Sequence, residues 1–245
     1  MKDNFITRFG LIASTCIITT ISVSTSLIIA CISLLLTINK IPLEAVVLAI
    51  LVPLIITPSI VYYYGKLIVK IIKLEKEMRL LATYDQLTGL LTRHAILESS
   101  AVLLNLIRRN KKILSLLYCD IDYFKKVNDH YSHEAGDMVI RKTGIMINDI
   151  IRKSDVAGRL GGEEFLLVLP DTNKNNAGIL AEKLRHAIEH MEYKYNNRII
   201  KITISIGICD SNDSNTNAID KLIAISDKAL YKSKNDGRNK VTIAP

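Results

Sequence analysis

Hydrophobic and polar positions split the chain into an uncharged opening quarter and a charged, patterned remainder. Residues 11–38 contain no Asp, Glu, Lys or Arg. At about 1.5 Å of rise per residue, a helix over that run outspans a hydrocarbon core of roughly 30 Å. A polar break at 39–44 precedes a second uncharged stretch, 45–65, in which Pro53 and Pro58 are expected to kink the helix. Tyr62, Tyr63 and Tyr64 close it, where aromatic rings favour a membrane interface, and Lys66, Lys70 and Lys73 follow. With Lys2 and Arg8 ahead of the first span, the pattern predicts a two-helix anchor over 1–65, spanning about 11–38 and 45–65, with both termini cytoplasmic. A signal peptide has a shorter apolar region, about 7–15 residues. Ile28-Ile29-Ala30-Cys31 resembles the box before a lipid-modified cysteine, but the apolar run continues past Cys31 to Ile38.

Over 66–84 the period changes. Leu67, Ile71, Leu74, Met78 and Leu81 recur at alternating spacings of four and three, which is an a/d seam. Lys73 with Glu77, and Glu75 with Arg79, are opposite charges at i, i+4. The segment reads as a helical linker, either a short parallel coiled coil or an ordinary amphipathic helix. From Asp85 to the C-terminus the pattern predicts helices over 93–110, 123–131, 134–152, 174–191 and 218–234. Strands are predicted over 113–120, on both sides of Gly161-Gly162, over 199–208 with Ile202, Ile204 and Ile206 on one face, and near Val241. Residues 210–217 read as a polar loop. Interleaved strands and helices with one internal hairpin give an α+β class: a mixed β-sheet flanked by helices over 85–245.

Composition agrees with this division. The 245 residues are 49% hydrophobic and 23% charged, with a mean hydropathy of +0.24. The net charge is +8, but the basic residues are scattered among acids and no nucleic-acid-binding signature accompanies them, so nucleic acid is excluded as a partner. An excess of Lys and Arg beside apolar spans instead fits cytoplasmic flanks against membrane lipid. None of the four cysteines pairs at metal spacing; Cys16, Cys31, Cys119 and Cys209 read as small hydrophobes in a reducing compartment.

Candidate chemistry gathers at two places. Gly161-Gly162 suits the tight turn of a hairpin, which would carry Glu163 and Glu164 at its tip ahead of the buried run 165–169. Asp120 ends the apolar strand 114–119 and Asp122 follows two positions on, a spacing at which both acids can share a face, although Asp122 also suits a helix N-cap before Tyr123. Asp120 and Glu163 together form an oxygen donor set suited to Mg²⁺.

Three runs carry a resemblance: 120–129 (Asp-Ile-Asp-Tyr-Phe-Lys-Lys-Val-Asn-Asp), 133–137 (His-Glu-Ala-Gly-Asp) and 161–165 (Gly-Gly-Glu-Glu-Phe). In order and spacing they resemble the signature blocks of the GGDEF-domain diguanylate cyclases. Residues 85–90 (Asp-Gln-Leu-Thr-Gly-Leu) resemble the block that opens such domains, and 227–234 with Gly237-Arg238-Asn239 the one that closes them. The resemblance implies a membrane-anchored bacterial enzyme, in the inner membrane as a multi-pass protein with its catalytic domain cytoplasmic. It would condense two GTP into cyclic di-GMP and pyrophosphate across a homodimer, with Mg²⁺ as cofactor and Mn²⁺ as the alternative ion. Asp120, the carbonyl of Ile121 and Glu163 would be the metal positions, with Glu163 and Glu164 as the catalytic acids. Asn128 and Asp137 would read guanine, Lys125, Lys234 and Arg238 would meet the triphosphate, and His133, Gly161 and Gly162 would border the substrate. Arg152 and Asp155 match an Arg-x-x-Asp inhibitory site, which implies product inhibition by cyclic di-GMP.

Thr92, Ser132 and Ser233 depart from the family pattern, and Ser132 stands where a glycine is usual, raising the expectation of an unusual backbone angle. The competing readings are a catalytically silent GGDEF domain acting as a membrane receptor for cyclic di-GMP or GTP, and an enzyme of the same fold making another cyclic dinucleotide. Intact Asp120, Asn128 and Glu163 favour the cyclase over the receptor.

Overall fold

The computed structural model describes residues 11–36, 43–213 and 218–245. The polar leader with Lys2 and Arg8, the end of the first apolar run with most of the break after it, and the last positions of the 210–217 loop lie outside the described residues. The chain forms two units, Met1–Met78 and Arg79–Pro245.

In the first unit, α1 (Leu11–Leu36) is followed by α2 (Leu43–Thr83), which runs on into the second. Thr57 Oγ1 donates to Ser22 Oγ at 3.2 Å, joining the two helices. The expected second span and linker are one helix, uninterrupted by Pro53 and Pro58. Among the described residues one segment, Leu51–Met78, is long and apolar enough to cross a membrane, and Cys16–Ile29 is a shorter apolar stretch. Two spans, 11–38 and 45–65, are expected from the sequence; among the described residues the one candidate span lies later, over Leu51–Met78. Hydroxyls dilute α1, and Thr20 and Ser24 turn theirs back onto the carbonyls of Cys16 and Thr20, each at 2.8 Å.

The second unit contains α3 (Arg93–Arg109), β1 (Leu114–Ile121), α4 (Phe124–His130), α5 (His133–Ile150), β2 (Val156–Gly161), β3 (Glu164–Pro170) and α6 (Lys174–His190). It continues with β4 (Tyr193–Tyr195), β5 (Arg198–Ile200), β6 (Ile204–Asp210), α7 (Ile219–Asn235) and β7 (Val241–Ile243). Five strands form a mixed sheet in the order β2-β3-β1-β6-β7, with β6–β7 parallel and the other pairs antiparallel. Strand alternation sends Leu117, Cys119, Phe165, Leu167 and Ile206 to one face, beneath Val139 and Ile147 of α5 and Leu184 of α6. Leu114, Leu116, Leu166 and Val168 face the other way, onto Ile96 and Leu104 of α3 and Leu222 of α7. Both faces are covered, which is why β1 reads as a continuous apolar run. Burial pushes the Cys119 thiol well above its usual value and that of Cys209 to about 12, leaving both as inert packing groups.

Two expectations change here. The strand expected over 199–208 is split: β5 folds back on β4 through Asn196 and Asn197, both at positive φ, and the sheet strand begins at Ile204. Ser132 needs no unusual angle. Its φ of 163° is extended backbone; its hydroxyl accepts from the Ala135 N–H at 3.2 Å as the N-cap of α5 and lies 3.0 Å from the Tyr195 hydroxyl. Thr92 likewise caps α3 and donates to the Ala82 carbonyl at 2.7 Å, and buried Ser233 donates to Ile206 O at 2.9 Å.

Candidate active site

The last residues of β1 and the β2–β3 turn meet at one end of the sheet. Gly162 (φ 51°) and Glu163 form the turn, while Gly161 (φ 151°) still pairs with Glu164 after a bulge that begins at Arg159. The turn therefore lies one residue later than a Gly-Gly turn, and Glu164 already belongs to β3. Asp120 stands opposite Glu164 in the register, and the Ile121 N–H donates to the Glu163 carbonyl at 3.3 Å. Asp120, Ile121, Glu163 and Glu164 are thus brought together, with only oxygen donors among their side chains and carbonyls.

Lys234, on α7, reaches this point with Nζ 2.7 Å from Asp120 Oδ2. Burial pushes the Asp120 carboxyl up to about 6, with Glu163 and Glu164 adding to the rise and Lys234 opposing it. Tyr118, one turn of the pleat behind Asp120, is pushed up to about 12, chiefly by burial and then by the Glu164 and Asp227 charges.

Two residues outside the expected set hold the tip. Arg159 donates from Nε to the Gly162 carbonyl at 2.9 Å and from Nη1 to the Asp85 carboxylate at 3.3 Å. Burial works to raise the Asp85 pKa, but hydrogen bonds from the Thr88 hydroxyl and N–H, with Arg159, outweigh it and leave the acid below its ordinary value. Tyr123 (φ 55°) lies between two cations, Arg238 and Lys126, each 4.5 Å from its ring centroid. Arg159 sits directly before the Leu160-Gly161-Gly162 turn, yet no local pattern in the sequence reveals its partner 74 residues away.

Asp122 departs from expectation. It neither caps α4, whose N-cap is Tyr123 without a side-chain bond, nor joins Asp120. Its carboxylate accepts from Ser205 Oγ (2.7 Å), Thr203 Oγ1 (2.7 Å) and the Asn239 N–H (2.9 Å), and so clamps β6 to the loop after α7. Asn128, on α4, turns its side-chain oxygen toward Gly136 on α5, where an added Cβ would overlap it. That oxygen is buried without a partner, a polar atom suited to a ligand's donor. Asp137 follows Gly136 and is exposed, as are Lys125 and His133, while Arg238 is half-buried.

Arg152 and Asp155 lie away from the tip. The Asp155 carboxylate accepts from the Arg152 N–H at 3.0 Å and from Ser154 Oγ at 3.2 Å, while the Arg152 side chain is exposed. Both line a cavity of about 420 Å³ with Asp171, Asn176, Ile179 and Lys183. Sequence reasoning did not find Lys183, which comes from α6.

A family model described as "Diguanylate cyclase, GGDEF domain" matches residues 82–240. The chain belongs to the GGDEF family. Its GGDEF domain is 37% identical over 167 residues to Diguanylate cyclase A of Treponema denticola, covering 67% of this chain and 45% of that protein. It is 33% identical over 172 residues to Probable diguanylate cyclase DgcF of Escherichia coli K12, covering 69% of this chain and 54% of that one. The chain therefore spans about half the length of these relatives. Among solved structures, the coiled coil and GGDEF domain of DgcB from Caulobacter crescentus, in complex with c-di-GMP, superposes with a TM-score of 0.71 at 26% identity, covering 76% of this chain and 98% of that one. The active GGEEF domain of a Vibrio cholerae diguanylate cyclase gives 0.60 at 30% identity, covering 65% and 99%.

Proposed function

We propose that the chain is a membrane-anchored diguanylate cyclase that condenses two GTP into cyclic di-GMP and pyrophosphate across a homodimer of GGDEF domains. The observation that carries this reading is the convergence of the Asp120, Glu163 and Glu164 acids at the sheet end, with the Lys234 ammonium 2.7 Å from Asp120 where a cation belongs. Asp120, the Ile121 carbonyl and Glu163 are hard oxygen donors that fit Mg²⁺, or Mn²⁺, together with phosphate oxygens. A divalent ion there supplies charge neutralisation at the phosphates and lowers the pKa of the attacking hydroxyl.

The chain's own residues do the rest by position and charge. Asn128 and Asp137 hydrogen-bond the guanine edge, and Gly136 leaves the room Asn128 needs. Lys125 and Arg238 neutralise triphosphate oxygens, joined by Lys234 once it leaves Asp120. Glu163, with Glu164 beside it, accepts or orients the 3′-hydroxyl proton of the GTP held by the facing domain. Gly161 and Gly162 shape the turn, and His133 opens α5 at the edge of the nucleotide. The catalytic domain spans 85–245, preceded by the 66–84 linker and two membrane helices, in the bacterial inner membrane with the catalytic part cytoplasmic. The Arg152–Asp155 cavity takes cyclic di-GMP as inhibitor, Arg152 offering two donors to guanine or phosphate and Lys183 a second cation.

Incubating the full chain with GTP and Mg²⁺ should yield cyclic di-GMP and pyrophosphate. Glu163→Gln should lower turnover by about a hundredfold or more while leaving the fold intact. A well-folded chain that binds cyclic di-GMP yet makes none at high protein concentration supports the receptor reading instead.

A further inference from the structure

The C-terminal turn of α6 carries His186, Glu189 and His190, a group that belongs neither to the hairpin tip nor to the Arg152–Asp155 cavity. Spacings i, i+3 and i+4 put the three on one helix face. One ligand atom from each lies within 4.8 Å of the others, and the imidazole centroids are 6.1 Å apart. His190 Nδ1 lies 2.8 Å from the His186 carbonyl, which can only accept, so Nδ1 is the donor of that contact and Nε2 is the nitrogen left for a ligand. A backbone carbonyl on the other ring nitrogen is the usual support of a metal-binding imidazole. Glu189 is oriented as well: Oε1 accepts from Asn239 Nδ2 at 2.7 Å and Oε2 from Arg185 Nη1 at 3.0 Å, with His186 Nδ1 3.6 Å away.

Arg185 is the opposing charge. Its Nη2 lies 2.8 Å from His186 Nε2, but Glu182 at 2.8 Å and Glu189 at 3.0 Å both bind the guanidinium, so two carboxylates face one cation. The His186 side chain is 59% exposed and has room to turn from Arg185 toward a shared ion. Two imidazoles and a carboxylate form a donor set for borderline d-block ions and a poor one for magnesium. Two histidines four apart on a helix are a recurrent zinc pair.

We infer that His186, Glu189 and His190 form a surface zinc site separate from the oxygen-only set at the tip. Filling it has a consequence that rests on the cyclase reading. Glu189 and Arg185, themselves paired, hold the two ends of the Asn239 side-chain amide at 2.7 and 2.8 Å, the Asn239 backbone N–H binds Asp122, and the preceding Arg238 stacks on Tyr123. Zinc draws Glu189 away from Asn239, loosens this loop and lowers turnover through Arg238.

The test is zinc affinity of the full chain measured by competition with a chromophoric zinc chelator, in the absence of nucleotide. His186→Ala with His190→Ala should weaken binding by more than about tenfold, and Glu189→Gln should weaken it less. Equal affinity in wild type and double variant overturns the site, whatever the chain catalyses. In turnover assays with saturating Mg²⁺, zinc should inhibit the wild type and leave the double variant unaffected. Equal inhibition of both overturns the coupling to Arg238.

Discussion

At the scale of single residues the decisive quantity is the charge state of Asp120. An ordinary carboxyl is ionised well below neutrality, but burial and the two glutamates bring this one to about 6. The folded chain therefore holds the proton more tightly than the unfolded one. Any stability this contributes is present at low pH and is lost as pH rises through 6. The grip on a cation runs the opposite way, because only the ionised form binds it. The Mg²⁺ concentration for half-maximal turnover should rise as pH is lowered through 6. Lys234→Ala removes the cation that opposes the shift, so its acid limb should move to higher pH; an unmoved limb would assign the titration to another group. Arg152→Ala with Asp155→Asn should relieve product inhibition with turnover otherwise kept, measured by progress curves with added cyclic di-GMP.

At the scale of elements, the site depends on pairs of elements held by one small or charged residue. Gly136→Ala places a methyl where the Asn128 oxygen lies. Alanine in a helix interior favours the helix by roughly 1 kcal/mol over glycine. The methyl also comes within 3.0 Å of the buried Phe124 ring, so crowding offsets that gain. The variant should lose GTP affinity with little net change in thermal stability, a split readable by melting and equilibrium binding on the same sample. Asp122→Ala acts first on stability. It leaves the Ser205, Thr203 and Asn239 donors without their shared acceptor in a buried setting, and should destabilise the domain by about 3 kcal/mol. Chemical denaturation checks the size; a loss under about 0.5 kcal/mol would place the clamp elsewhere.

At the scale of the whole molecule, the proposed condensation of two GTP needs a second domain facing the first. Leu67, Ile71, Leu74 and Met78 of α2 are all exposed on a single chain, a row of apolar side chains that one chain leaves uncovered. If this row joins two chains, it raises the effective concentration of the partner domain. Leu74→Lys should then lower specific activity at dilute protein and recover it as concentration rises. Specific activity independent of concentration in both chains would show that the stripe is not the joining surface.

Most of the elements were legible in the chain because their causes are local. Continuous apolar runs marked β1 and β3, helical periodicity marked α3 to α7, and the Gly-Gly dipeptide marked the hairpin that carries Glu163. Signature spacing was enough to assign the family. The misplaced features have causes that no short window contains. The 199–208 run alternates apolar and polar residues with no internal turn signal, and only the pairing of its first residues with β4 divides it. Asp122 looked like a helix cap because its neighbours suit one, yet its partners lie 81 to 117 residues away. Arg159 has no local signature, since Asp85 reaches it through the fold. Sequence by itself determined which residues form strands and helices and which acids are present, because backbone preference and periodicity act over a few neighbours. Only tertiary structure decided which acid stays free for a cation and which is consumed as a clamp, because a carboxylate's role depends on the donors that the packed chain brings to it.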